Sequence, residues 1–162
     1  MIISQTPFRI SLVGGGTDFE DFYKVSGGAV ISTTINKYIY VVVKERFDNK
    51  ISANYFDQEI VDDICELRHD LIREAALLTG MKNGFDVYIM SDIPSSGSGL
   101  GSSSSVTVGL LNAFYAYKGI SVDAKTLAEQ ACIIEIDILK NPIGKQDQYA
   151  AAYGGLNFIQ FH

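Results

Sequence analysis

The sequence holds only two cysteines, three prolines and two histidines in 162 residues. Two thiols, Cys65 and Cys132, make no disulfide framework, and their separation gives no metal-ligand pair. Both sit in segments of apolar periodicity, which predicts buried free thiols and a reducing, cytoplasmic setting. No apolar run approaches the ~18 residues of a membrane span. The first residues carry neither the basic nor the apolar region of a secretory signal. Positive charge is also short: 13 Lys and Arg face 19 Asp and Glu, a net charge of −6. That argues against nucleic acid as a partner, which needs a basic face to neutralise phosphates. It does not exclude a small anion, which backbone N–H groups hold without net charge. No internal repeat is visible. What remains is 47% hydrophobic and 20% charged, enough for one soluble domain with a real core.

The pattern predicts strands first. "IISQTP" and "FRISLV" read as two short strands broken near Pro7, followed by a glycine-rich turn, "GGGTDF". "DFEDFYKVSG" reads as a short helix ending at Gly27. "AVISTTIN", "KYIYVVVKER" and "KISANYF" are rich in β-branched and aromatic residues and read as strands. "ELRHDLIREAALLTG" is helical, with Leu67, Leu71, Ala75 and Leu78 on one face and Gly80 as its stop. "GFDVYIMSDI" alternates as a strand. Val106, Leu110, Ala113 and Tyr117 make a helical stripe. A further helix starts at the N-cap Asp123, buries Leu127, Ala131, Ile134 and Ile138, and stops at Pro142. "QDQYAAAYGG" is a short helix and "LNFIQF" a last strand. This order predicts an α+β domain, a two-layer sandwich with helices on one face of a mixed, mostly antiparallel sheet.

One stretch, "DIPSSGSGLGSSSSV" from Asp92 to Val106, has seven serines and three glycines. A flexible linker is one reading. Its position argues otherwise, because a strand ends directly before it and a helix follows directly. The serines then form the first turn of that helix. A glycine-rich turn entering a helix N-terminus is an anion site, since free N–H groups point outward and the dipole favours negative charge. The spacing excludes a Walker loop, for there is no Gly-Lys-Ser/Thr, and "IGKQD" at Gly144 lacks the other requirements. Gly97, Gly99 and Gly101 miss the dinucleotide fingerprint, because Ser102 stands where its last glycine belongs. A nucleophile elbow and a protein-kinase catalytic loop are absent as well.

"PSSGSGLGSSSS" resembles the Pro-x-x-x-Gly-Leu-Gly-Ser-Ser phosphate loop of the GHMP kinases, with one extra residue after the proline. "PFRISLVGGGTDF" resembles that family's N-terminal segment, and "PIGKQDQYAAAYGG" the segment that carries its catalytic aspartate, followed by Gln and Gly-Gly. The three stand in the family's order from Pro7 to Gly155. Within the family, "GGGTDF" with "GGAVISTTINKYIYV" is most similar to kinases of heptose 7-phosphates. Galactokinases have Gly-Glu-His where this chain has Gly14, Gly15 and Gly16.

The resemblance implies a ribosomal-protein-like N-terminal domain with a left-handed crossover, ATP and Mg²⁺ as cofactors, and phosphorylation of a sugar's anomeric hydroxyl. It implies that Pro94, Ser96, Gly97, Ser98, Gly99, Leu100, Gly101, Ser102, Ser103 and Ser104 hold ATP. Asp147 would take the acceptor's proton, or else cap "QYAAAY". Arg9, flanked by apolar Phe8 and Ile10, would sit beside Asp147, or make a structural ion pair. Ser103 and Glu135 would ligate the metal, Glu135 lying near the core edge and its rivals Glu129 and Asp137 in solvent. Gly15, Gly16, Thr17, Asp18 and Gly144 would meet the sugar, with an Asx turn as the alternative for Asp18. His69 reads as solvated. The family carries a second, C-terminal domain that completes the cleft. The resemblance implies that residues 1–162 are the N-terminal domain without it, so that a longer form or a partner chain supplies it. It also implies that these residues alone fold but do not turn over, and that an uncovered apolar face favours a homo-oligomer or a partner. The alternatives are a kinase of another sugar, such as galactose or fucose, and a non-catalytic ATP- or sugar-binding piece.

Overall fold

The structure is a computed structural model that describes residues 1–94 and 98–162. Its elements run β1 (Ile2–Val13), α1 (Glu20–Ser26), β2 (Gly28–Glu45), β3 (Ile51–Asn54), β4 (Gln58–Val61), α2 (Asp70–Thr79), β5 (Phe85–Ser91), α3 (Ser102–Tyr117), α4 (Ala124–Cys132), α5 (Gln146–Tyr153) and β6 (Leu156–Phe161). A 3₁₀ turn, Ile64–Glu66, precedes α2, and a π turn, Ile133–Ile138, prolongs α4. The strands form one sheet in the order β1-β2-β5-β3-β4, with β6 paired to the other end of β2. Among the described residues only β3 with β5 is parallel; the other pairings are antiparallel. The chain is therefore α+β with a mixed, mostly antiparallel sheet under a layer of helices. Among the described residues no helix is long and apolar enough to cross a membrane.

The core follows from alternation on the strands and stripes on the helices. Phe8, Ile39, Val41, Val43, Phe85 and Val87 point from the sheet into Leu110, Leu111 and Phe114 of α3 and Ile72 and Ala75 of α2. Residues Ser104 to Leu111 of α3 are all buried, so this helix is the central one. It lies close to the sheet because Gly109 faces it: an added Cβ would stand 2.9 Å from Thr6 Oγ1 and 3.2 Å from Val41 Cγ2. That approach fixes the N-terminus of α3 over β1, where the candidate site lies.

Several expectations are corrected. The two strands expected around Pro7 are one, because β1 is an edge strand and the missing N–H of Pro7 costs no ladder bond. The two strands expected from Ala29 to Arg46 are also one, the 18-residue β2, long enough to serve β1, β5 and β6. The pattern gave no sign of β4. α2 begins at Asp70 rather than Glu66; its buried face is Ile72, Ala75, Ala76 and Thr79, while Leu71 and Leu78 are half-buried. His69 is not solvated but half-buried: its Nδ1 accepts from Ile72 N (3.4 Å), capping α2, and burial lowers its pKa. Cys132 is buried as expected, its thiol pushed up to about 12 by burial, but Cys65 is exposed on the 3₁₀ turn. Ile138 is exposed too, because the π turn rotates it away from the face that Leu127, Ala131 and Ile134 share.

Candidate active site

The loop expected to hold ATP enters α3 as read. Its calls on Ser96 and Gly97 lie outside the described residues. Gly99 and Gly101 have φ of +66° and +75°, conformations that strain any side chain. Gly101 is the N-cap; among the described residues no side chain caps α3, and its first turn has no acidic residue. The serines of that turn divide their work. Ser105 Oγ donates to Pro7 O (2.9 Å), tying the helix to β1. Ser104 faces inward and Ser103 outward.

Arg9 and Asp147 meet directly. Arg9 Nε and Nη2 donate to Asp147 Oδ1 and Oδ2, each at 2.7 Å, and Nη1 donates to Gly99 O at 2.8 Å. Arg9 N also donates to Leu100 O (3.2 Å). One guanidinium thus grips both the carboxylate and the loop, a fork geometry that lysine lacks. Gly101 packs against the pair, with room for no more than a tight Cβ, 3.1 Å from Asp147 Oδ2. Asp147 is not the cap of α5. That position is Lys145, and the Asp147 carboxylate turns to Arg9 instead. Burial raises the pKa of Asp147 above the ordinary carboxylate value, and Arg9 opposes the shift.

Asp18 is only 2% exposed and lies across a pocket of about 200 Å³ from this pair, with Phe19, Ile143, Gly144 and Gln146 in the wall. Its carboxylate accepts from Gly16 N (3.2 Å), Gln146 N (3.1 Å) and Gln146 Nε2 (3.4 Å). Gly144 makes room for it, since a Cβ there would overlap the carboxylate. The Thr17 hydroxyl is engaged within the protein, donating to Gly14 O (2.8 Å) and accepting from Ala29 N (3.1 Å). Gly15 and Gly16 do not line this pocket: Gly15 packs on Ser11 and Gln146 Nε2, while Gly16, whose N donates to Asp18, has φ +91° with open space where a Cβ would stand.

Glu135 lies in the π turn, fully buried rather than at the core edge. Gln148 Nε2 donates to its Oε2 (2.9 Å), while Oε1 has no hydrogen-bond partner among the described residues. Burial raises its pKa; the neighbouring Ser103, Gln148 and Ser104 side chains oppose that. A buried carboxylate oxygen without a partner, next to a serine exposed at the mouth of the loop, is an oxygen donor set that suits Mg²⁺. Glu129 and Asp137 are exposed, as read. Among the described residues no three His, Cys, Asp or Glu side chains cluster as a metal site.

Residues that the pattern did not single out include Gln146, which also accepts from Ser11 Oγ, and a second pocket of about 480 Å³ lined by Ile39, Tyr55, Ile89, Ile93, Pro94 and Val106 among others. The buried Glu59 steadies its wall, accepting from Tyr55 Oη (2.7 Å) and His69 N (3.2 Å). Proximity of Ile93 and Pro94 to the loop was the one available signal.

A glycine loop opening an uncapped helix, with an Arg–Asp pair clamped to it, defines the class: the chain belongs to the GHMP kinases, matching the GHMP kinases N terminal domain over residues 65–155, more than half its length. It is 34% identical, over 99% of its length, to the D-glycero-alpha-D-manno-heptose 7-phosphate kinase of Campylobacter jejuni. It is 31% identical, over 91%, to the galactokinase of Halalkalibacterium halodurans. It spans 51% and 39% of those proteins, respectively. A crystal structure of a D-glycero-D-manno-heptose 1-phosphate kinase from Bacteriodes thetaiotaomicron superposes with TM-score 0.89 at 31% identity, over 99% of this chain and 56% of that one.

Proposed function

We propose that this chain is the N-terminal half of an ATP-dependent sugar kinase that phosphorylates the anomeric hydroxyl of a heptose 7-phosphate. The observation that carries the reading is the Arg9 fork joining Asp147 to the loop carbonyl of Gly99. It sets the base for the acceptor beside the cradle for the donor phosphates. The reaction asks for positioning and charge stabilisation above all.

The division of labour follows the geometry. ATP phosphates lie on the N-terminus of α3 and the loop around Gly99 and Gly101, and the nucleobase enters the pocket beside Pro94. The sugar occupies the pocket between Asp18 and Asp147, its hydroxyls donating to the Asp18 carboxylate. Gly144 keeps that wall low. Asp147 accepts the proton of the anomeric hydroxyl as its oxygen bonds to the γ-phosphorus and the bond from phosphorus to the ADP oxygen breaks. Both Asp147 oxygens still have a free lone pair after binding Arg9. Burial raises the basicity of the carboxylate, and the Arg9 charge keeps it ionised. Ser103 and Glu135 would hold Mg²⁺, which when bound neutralises phosphate charge. A C-terminal half of the kind its relatives' length implies would close the cleft. The setting is cytoplasmic, where ATP and Mg²⁺ are plentiful.

The test is a coupled ADP-release assay of the full chain with heptose 7-phosphate, galactose, fucose and mannose, each with Mg-ATP. Turnover confined to heptose 7-phosphate supports the reading. Turnover on galactose or fucose alone transfers it to another sugar. No turnover with any sugar once the C-terminal half is supplied, alongside intact ATP binding, makes the chain a binding module.

A further inference from the structure

Glu135, Gln148 and Ser104 enclose one polar point inside the core. Gln148 is 0% exposed, as are Glu135 and Ser104. Gln148 Nε2 donates to Glu135 Oε2 at 2.9 Å. Three oxygens then lack partners among the described residues: Glu135 Oε1, Gln148 Oε1 and Ser104 Oγ. Burying a glutamine with one end unmet costs stability, so an apolar side chain would serve packing better. The carboxamide stays because it treats the two carboxylate oxygens differently. It occupies one and leaves the other open.

We infer that Gln148 is a positioning residue for the divalent cation: its amide fixes Glu135 Oε2 so that Oε1 alone is presented to the ion. This rests on the metal reading proposed above. Carboxylates that ligate metals are themselves held by hydrogen bonds, and removing such a partner weakens metal affinity about 10–100-fold. Gln148 follows Asp147 directly on α5, so one helical turn sets both the acceptor's base and the metal's ligand. Gln146, the residue before Asp147, donates to Asp18 Oδ1 through its side-chain Nε2 (3.4 Å). Three consecutive side chains thus carry three separate grips, on Asp18, Arg9 and Glu135.

The probe is Mn²⁺, titrated into the full chain with ATP and followed by electron paramagnetic resonance. Gln148→Met, similar in volume but with no donor, is expected to weaken Mn²⁺ binding at least ~10-fold and to leave the KM for sugar unchanged. In a Glu135→Gln background the same substitution should have no further effect. Equal Mn²⁺ affinity in folded Gln148→Met overturns the inference, as does an equal loss in both backgrounds. If Glu135→Gln itself leaves Mn²⁺ binding intact, the metal reading fails and takes this inference with it. Should Gln148→Met not fold, the wild type decides: the Gln148 side-chain amide signal should broaden with Mn²⁺ and ATP, and an unbroadened signal refutes its placement.

Discussion

Gly144→Ala offers the sharpest test of the site's construction. A methyl at this position overlaps the Asp18 carboxylate, and all three of its nearest neighbours are Asp18 atoms. Asp18 must therefore leave its seat. It gives up the bonds from Gln146 N (3.1 Å) and Gln146 Nε2 (3.4 Å), which join segments 128 residues apart. Hydrogen bonds to a charged group contribute about 1.5–3 kcal/mol each. The longer of the two is weak, so about 3 kcal/mol is lost. For a domain of this size that lowers Tm by about 6–12 °C. The sign should reverse once Asp18 is gone. Gly144 does not have a left-handed φ, and Gly→Ala at a compatible position stabilises by about 0.4–1 kcal/mol. Thermal melts of wild type, Gly144→Ala, Asp18→Ala and the double variant form the cycle. Gly144→Ala is expected to cost about 3 kcal/mol in the first background and to stabilise by about 0.4–1 kcal/mol in the second. An equal cost in both would show that the glycine answers to something other than Asp18. Gly16→Ala is the control: it has open space and carries only the strain of φ +91°.

Asp147→Asn should lower kcat by about 10²–10⁴ while ATP affinity stays within about twofold, checked by steady-state kinetics and calorimetry; retained turnover refutes its role as base. Arg9→Lys keeps the charge but cannot grip Gly99 and both Asp147 oxygens at once, so kcat should fall at least ~10-fold; a fully active lysine variant refutes the fork. The pKa of Asp147 is raised in the folded protein, so kcat/KM should climb with pH through a limb above the ordinary carboxylate value, absent in Asp147→Asn. By the same shift, Asp147's contribution to stability is fully present below the unfolded carboxylate pKa and is lost as pH rises through the folded value, which melts across that window will show. A thiol reagent should find Cys65 quickly and Cys132 only after unfolding, since one is exposed and the other buried with its thiol pushed up to about 12; two fast thiols would contradict the packing of α4.

Elements set by local chemistry were legible. Asp123 caps α4 by accepting from Thr126 N at 2.8 Å, as its side-chain type foretells, and the serines open α3 because a strand and an apolar stripe bracket them. Elements set by distant partners were not. Nothing near Gly144 in sequence announces Asp18, because the overlap exists only after β1 and α5 have come together. The start of α2 was misread because Arg73 Nη1 donates to Leu67 O (2.8 Å) and His69 caps the helix, holding Leu67 outside it. The spacing of Leu127, Ala131, Ile134 and Ile138 fits an α-helix well, yet a π turn accommodates one more residue there. Its bond runs from Leu139 N to Ile134 O (2.9 Å). Ile134 and Glu135 both face inward and are fully buried there, deeper than the core-edge place the spacing gave Glu135.

Departures from regular geometry gather where the site needs them. Between Pro7 and Arg9 the register of β1 on β2 slips, two residues of β1 passing four of β2, and Arg9 emerges there between buried Phe8 and exposed Ile10. Gly101 takes a left-handed φ at the mouth of α3, within reach of Asp147. The π turn buries Glu135. Each device has a cost: unpaired backbone in the first, conformational entropy of glycine in the second, a widened turn in the third. Packing alone would remove all three. A regular β1 would place its residues on alternate faces without delivering Arg9 to the loop, and a regular α4 would leave Glu135 near the core edge beside Ala131 rather than fully buried. Local rules broken at several separate elements, with the offending residues converging on one cleft, are what selection for a reaction leaves behind. Deleting Ile136 to restore an α-helical register through this segment should therefore stabilise the helix itself while removing the widened turn that seats Glu135 against Gln148, leaving Glu135 at the core edge. Mn²⁺ binding should fall with it; a variant that keeps full Mn²⁺ affinity would mean that the π turn serves the fold and not the chemistry.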